Sequence, residues 1–216
     1  METLNEVIYR EIPSELSFDN ENLNYEKIKF EKNQDIFKEN VFPVGLFYVK
    51  TGKVKIFKIS PDGKEKILRI MKTGDFVGYK DLILRDRYTY YASAFENTTL
   101  YFIPKDSFYN LLNHNTVNLF FMNLLSEELS DTENELLNLS YKPVKGRLVD
   151  ALLTLDDNSH SITISREELA GFVGSATETV IRLLSELRKQ NLISIKGRMI
   201  QVVNTPGLNR ISSIYN

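Results

Sequence analysis

Cysteine is absent from the 216-residue chain. That excludes disulfide frameworks, thiolate zinc sites, cysteine-held iron–sulfur clusters and cysteine nucleophiles. Histidine occurs only as His114 and His160, too few for a multi-histidine metal centre within one chain; composition leaves carboxylate-only sites open. No apolar run approaches the ~18 residues needed to cross a bilayer. The N-terminal Met1-Glu-Thr-Leu-Asn-Glu lacks the basic-then-apolar order of a secretory signal. The expectation is a soluble, cytoplasmic protein with no membrane partner and no bound metal. What is present is ordinary for a globular chain: 42% hydrophobic and 26% charged residues, in a length that suits one large domain or two smaller ones.

The net charge of −2 conceals an uneven split. Residues 1–140 hold 17 basic and 22 acidic side chains, whereas residues 141–216 hold 10 and 7. Such asymmetry suggests that the basic part meets a polyanion. Residues 25–104 read as β. Short apolar alternations such as Phe47/Val49, Val54/Ile56 and Leu100/Phe102 are punctuated by turn residues at Gly45, Gly52, Pro61-Asp62-Gly63, Gly74-Asp75 and Gly78. Strands this short and closely spaced predict an antiparallel barrel or roll. Lys50-Thr-Gly-Lys53 predicts a tight turn and Asp62-Gly63 a hairpin.

From Lys105 to Tyr141 there is neither Gly nor Pro. Met122, Leu125, Leu129, Thr132, Leu136 and Leu139 recur with the 3,4 spacing of a heptad seam, which two helices bury side by side. The expectation is a homodimer; the plainer alternative is one amphipathic helix packed on its own domain. Thr132 is the polar member of the seam, a position that sets register or touches something. Lys142-Pro143 should end the helix, because proline disfavours helical geometry in the residue before it. The predicted division is 1–104, 105–140 and 141–216.

The C-terminal part reads as helix 145–155, a polar loop, a short strand at 162–164, helix, turn, helix, and a hairpin with the basic tip Lys196-Gly197-Arg198. Ser165-Arg-Glu-Glu168 and Ser175-Ala-Thr-Glu178 both match the capping box. Val180, Leu183, Leu184 and Leu187 would face inward. This is the pattern of a winged helix-turn-helix, whose second helix enters the DNA major groove. Thr177, Glu178, Ile181 and Arg182 then face out. Arg182 can donate two hydrogen bonds to guanine and Glu178 can accept from the cytosine amino group. Arg166, Lys196 and Arg198 are placed for phosphates. The plainer alternatives are that Glu178 only caps, and that Arg182 pairs with Glu178 or Glu186 on the helix surface.

Roll, long helix and winged helix, in this order, resemble the Crp–Fnr family of bacterial transcription regulators, over about residues 24–203. The resemblance rests on Gly45-Leu-Phe-Tyr-Val-Lys-Thr-Gly52, Gly74-Asp-Phe-Val-Gly78, Ala94-Phe-Glu-Asn97 and, most specifically, Val173-Gly-Ser-Ala-Thr-Glu-Thr-Val-Ile-Arg-Leu-Leu184. It implies an α+β chain in which an antiparallel roll (a double-stranded β-helix) precedes a dimerisation helix and a winged helix-turn-helix. It also implies base contacts by Glu178 and Arg182 to a TGA-like half-site, and phosphate contacts by Arg166, Thr179 and Lys196. Thr177 stands where many relatives carry a further base-reading residue. Relatives that bind cyclic AMP follow the roll glycine with Glu and hold the phosphate with Arg-Ser or Arg-Thr. Here Tyr79 follows Gly78, and Tyr88-Thr89 stands at the phosphate place; a one-residue slip would bring Arg87 there instead. A buried phosphate without Arg loses its bidentate, charge-assisted partner. The resemblance therefore implies a chamber lined by Gly78, Tyr79, Tyr88, Thr89 and Thr132 that does not bind cyclic AMP in the usual way. It takes an unknown small-molecule effector, or none. Without cysteine, the iron–sulfur mechanism of the oxygen-sensing branch is excluded. His114 is expected as a surface residue and His160 as a solvated loop residue; the alternative the resemblance implies for that loop is contact with RNA polymerase.

Two other function classes are weighed. A cupin-like metal enzyme would need histidines on the roll strands, and residues 25–104 contain none. A ligand-binding module acting on a protein partner without DNA would have no need of a basic wing.

Overall fold

The computed structural model describes residues 11–61, 63, 65–156 and 161–214. Met1–Glu6, Asp62 and His160, each given a role above, lie outside the described residues. Strands β1 (Glu26–Phe30), β2 (Asp35–Phe37), β3 (Gly45–Thr51), β4 (Val54–Ile59), β5 (Glu65–Met71) and β6 (Phe76–Val77) come first. The short helix α1 (Tyr79–Leu84), β7 (Tyr91–Ala94) and β8 (Thr98–Pro104) complete the N-terminal part. Two four-stranded antiparallel sheets result, ordered β1-β8-β3-β6 and β2-β7-β4-β5. The roll expected from short alternating strands is therefore the observed fold. Its interior is apolar, with Val49, Val54 and Leu100 fully buried. Gly45 begins a strand rather than making a turn; a side chain there would strike the Ile103 carbonyl 2.3 Å away.

The Gly- and Pro-free stretch is two helices, not one. α2 (Lys105–Leu111) and α3 (Asn115–Tyr141) are separated at 112–114. Asn118 Nδ2 donates to the Leu112 carbonyl at 2.6 Å and so satisfies backbone freed by the break. The break lets Phe108 of α2 and Val117, Phe121 and Leu124 of α3 enter one core against the outside of the roll.

α3 ends where Lys142 turns extended, at ψ 124°, ahead of Pro143. α4 (Val144–Leu155), β9 (Ser161–Thr163), α5 (Arg166–Val173), α6 (Thr177–Lys189), β10 (Ile193–Lys196), β11 (Met199–Val202) and α7 (Thr205–Ile214) follow. The last three strands form one antiparallel sheet, β10-β11-β9. The core of this part is not closed on itself: Ile67, Ile70 and Phe95 of the roll pack into it. No helix among the described residues is long and apolar enough to cross a membrane, and no group of three or more His, Asp or Glu residues there could hold a metal ion.

Candidate nucleic-acid interface and effector chamber

Two neighbouring helices with one buried face each, α5 and α6, make the helix-turn-helix. α5 starts on a complete capping box: Ser165 Oγ accepts from the Glu168 N–H at 3.1 Å, and Glu168 Oε2 accepts from the Ser165 N–H at 3.0 Å. The turn follows at Gly174, φ 68°. One guanidinium fastens it. Arg147 of α4 donates to the carbonyls of Val173 (2.9 Å), Gly174 (3.1 Å) and Lys142 (2.8 Å). The turn and the end of α3 therefore share one staple, which a basic residue on a helix surface does not announce in sequence.

The second capping box does not form. α6 takes Ala176 as its N-cap, without a side-chain cap. Glu178 is then the second helical residue rather than the third, so its carboxylate cannot reach back to close the box. The outcome leaves Glu178 exposed. One turn further on, Arg182 lies on the same side, 65% exposed, its Nη1 2.8 Å from Glu186 Oε1. Opposite them Val180, Leu183, Leu184 and Leu187 are buried, as the spacing requires. Thr177 and Thr179 are half-buried at the same helix end; Lys196 and Arg198 are exposed on the wing, and Ile181 is 50% exposed. Arg166 differs from these, since its Nη2 donates to the Gly197 carbonyl at 3.0 Å.

Between roll and α3 lies a cavity of about 230 Å³. Gly78, Tyr79 and Thr132 line it as expected; Tyr88, Thr89 and Arg87 do not. Tyr88 is turned into the roll, 2% exposed, stacked on Phe37 at 3.7 Å. A large ring gains more from that burial than from a wet chamber wall, and burial raises its phenol pKa. Thr89 donates to Asp81 Oδ1 at 3.2 Å and receives Lys80 Nζ at 2.9 Å. Arg87 lies over the Phe42 ring at 4.2 Å and donates to the Asn40 carbonyl at 2.7 Å. Tyr90 lines the chamber instead.

The groups that close the chamber were not all legible beforehand. Arg69, a lone cation in the apolar run of β5, meets Glu128 Oε1 of α3 at 3.1 Å and donates to Thr132 Oγ1 at 3.3 Å. Tyr79 donates to the other Glu128 oxygen at 2.8 Å. Burial raises the pKa of the fully enclosed Asp81, and desolvation against the chamber also raises that of Glu135. The seam on α3 is open in the single chain: Met122, Leu129 and Leu136 are each at least 60% exposed and Leu139 43%, while Leu125 is half-buried against the roll. His114 is exposed, its Nδ1 3.8 Å from Glu15 Oε1.

Comparison with known proteins places both parts. Residues 27–115 match the cyclic nucleotide-binding domain and residues 146–211 the Crp-like helix-turn-helix domain. An anaerobic regulatory protein of Bacillus subtilis is 30% identical over 188 residues, 81% of this chain and 79% of that protein. A fumarate and nitrate reduction regulatory protein of Vibrio cholerae is 27% identical over 198 residues, 87% of this chain and 79% of that protein. Among solved structures, a CRP/FNR-family transcriptional regulator from Thermus thermophilus superposes with a TM-score of 0.77 at 22% identity, over 88% of this chain and all of that one.

Proposed function

The chain belongs to the Crp–Fnr family of bacterial transcription regulators, and we propose that it works as a homodimer reading a two-fold symmetric DNA site under an input other than cyclic AMP. It is a DNA-binding regulator of transcription and not an enzyme. In the proposal Glu178 and Arg182 read base edges with Thr177 beside them. Thr179, Lys196 and Arg198 meet phosphates, which fix register without reading sequence. Two copies paired along Met122, Leu125, Leu129, Leu136 and Leu139 would set their α6 helices in successive major grooves, about 34 Å apart. RNA polymerase is the further partner if the protein activates.

The observation that carries the reading role is the exposure of Glu178 and Arg182 together on the outer side of a helix whose other side is buried. The Arg182–Glu186 pair costs little to exchange for a base, because exposed ion pairs are worth under about 1 kcal/mol. For the input, three features speak against cyclic AMP. Tyr88 is sequestered in the roll, Thr89 is engaged by the Asp81 carboxylate, and Arg87 is held over Phe42. An incoming phosphate would meet a carboxylate where it needs a guanidinium. A cysteine-held cluster does not fit either, since the chain has no cysteine. The chamber takes an organic effector of another kind, or none.

The test is selection of binding sites from random DNA with the unmodified protein and with Glu178→Ala plus Arg182→Ala. The variant should lose a definite consensus at the positions the pair reads, each wrong base there mattering by about 1–3 kcal/mol in the unmodified protein. Recovery of the same consensus from both would refute base reading by these residues.

A further inference from the structure

The wing carries two of the exposed cations proposed to meet DNA, and its own ladder, β10 on β11, ends on the pair Lys196–Met199 and leaves the two-residue turn Gly197-Arg198 outside it. On its other edge β11 is fixed by the ladder to β9, which pairs Met199 with Thr163, Ile200 with Ile162 and Gln201 with Ser161. Beyond Met199 that ladder ends. The tip, Lys196-Gly197-Arg198, is exposed, and a side chain built on Gly197 would meet nothing within 4 Å. From the helix-turn-helix, Arg166 reaches it: Nη2 donates to the Gly197 carbonyl at 3.0 Å across 31 positions of sequence. Arg166 is itself firmly placed. It is the first residue of α5 and follows Ser165, whose side chain and backbone are both fixed by the capping box.

The other guanidinium nitrogen, Nη1, is sealed from solvent, and burial lowers the basicity of the group as a whole. A side chain kept ready for a phosphate gains by staying hydrated until DNA arrives, because burying a charged group is costly. Bidentate grip on a phosphate also needs two free N–H groups side by side. Arg166, half-buried, has Nη1 sealed and Nη2 engaged by the Gly197 carbonyl, so it presents no free pair.

We propose that Arg166 is a positioning residue, a clamp that holds the wing tip so that Lys196 and Arg198 meet the DNA backbone already ordered. It acts on DNA through the wing rather than as a phosphate ligand. Ordering long side chains on and beside an untethered two-residue turn costs affinity at the moment of binding, and a turn fixed beforehand avoids most of that cost.

The inference rests on the DNA-reading role proposed above, and the experiments separate the two. Hydrogen exchange of the wing amides is measured in the full chain without DNA, for the unmodified protein, Arg166→Ala and Arg166→Lys. Binding to sheared genomic DNA at low salt is measured for the same proteins, and for Arg166→Ala combined with Lys196→Ala and Arg198→Ala. The clamp predicts faster exchange around Gly197 in both single variants, and roughly tenfold weaker binding of each. It also predicts that Arg166→Ala adds little once Lys196 and Arg198 are gone, as coupled residues should. Unchanged wing exchange, with Arg166→Lys binding as well as the unmodified protein and Arg166→Ala adding its full effect to the wing variants, would overturn the clamp in favour of direct phosphate contact. Should Arg166→Ala fail to fold, Arg166→Lys decides by the same two readouts, since it keeps the charge a phosphate needs and loses the planar fork. Failure of the unmodified protein to shift DNA at all would overturn the DNA-reading role, while the exchange measurement still decides the clamp.

Discussion

Glu168 concentrates several jobs in one carboxylate. It closes the capping box of α5 and lies 3.6 Å from Lys55 Nζ, a roll lysine only 4% exposed that also pairs with Glu65. Burial by itself would raise the Glu168 pKa. The Ser165 hydrogen bonds and the Lys55 and Lys32 charges outweigh it and leave the pKa below the ordinary 4.5. A lowered folded pKa stabilises the fold above the unfolded value, and the contribution is lost as pH falls through the folded one. Glu168→Gln should therefore be less stable than the unmodified protein above about pH 4.5, with the gap closing below it. Denaturant unfolding of both proteins across that range measures the gap; one that persists in full well below that pH would contradict the assignment. The capping role was legible in Ser165-x-x-Glu168. The partnership with Lys55 was not, because it joins residues 113 positions apart that only the fold brings together.

Among the elements, α3 shows best how far periodicity reaches. The 3,4 spacing identified an apolar stripe, and Met122, Leu129, Leu136 and Leu139 are uncovered in the single chain. A stripe left open over so many turns needs another surface. Leu129→Asp with Leu136→Asp should give a monomer in sedimentation equilibrium, with DNA affinity reduced at least tenfold through the loss of a second reading head. An unchanged dimer would move the interface elsewhere. Periodicity did not reveal the break at 112–114, because Asn and His interrupt a helix without the signature of Gly or Pro. The Ser175-x-x-Glu178 motif likewise did not reveal that α6 starts one residue later, on Ala176 without a side-chain cap.

At the scale of the whole molecule, the helix-turn-helix is seated on its own roll. Gly171 of α5 lies against β5 so closely that a side chain there would stand 2.6 Å from the Glu65 carbonyl oxygen. The same strand carries Arg69, which binds α3 at the chamber. β5 thus touches both the chamber's closing network and the helix-turn-helix. Gly171→Ala should force the two parts to separate slightly, at a cost of about 1–3 kcal/mol. Calorimetry should then show a lower or split unfolding transition, while DNA-free secondary structure is retained. A single transition at the original temperature would show that the contact is not a firm one.

The sequence by itself determined the roll, the seam, the helix-turn-helix and the charge division. Those depend on local alternation, heptad spacing, turn residues and composition, all of which are short-range properties. It also determined that no thiolate chemistry occurs here. The tertiary structure decided which side chains line the chamber. Residues 85–90 follow no regular period, so only packing could send Tyr88 into the core and leave Tyr90 at the wall. It also decided that Arg69 closes the chamber against α3 and that Arg166 turns to the wing. Both are pairings between distant segments, set by the shape of the packed chain and not by the residues beside them.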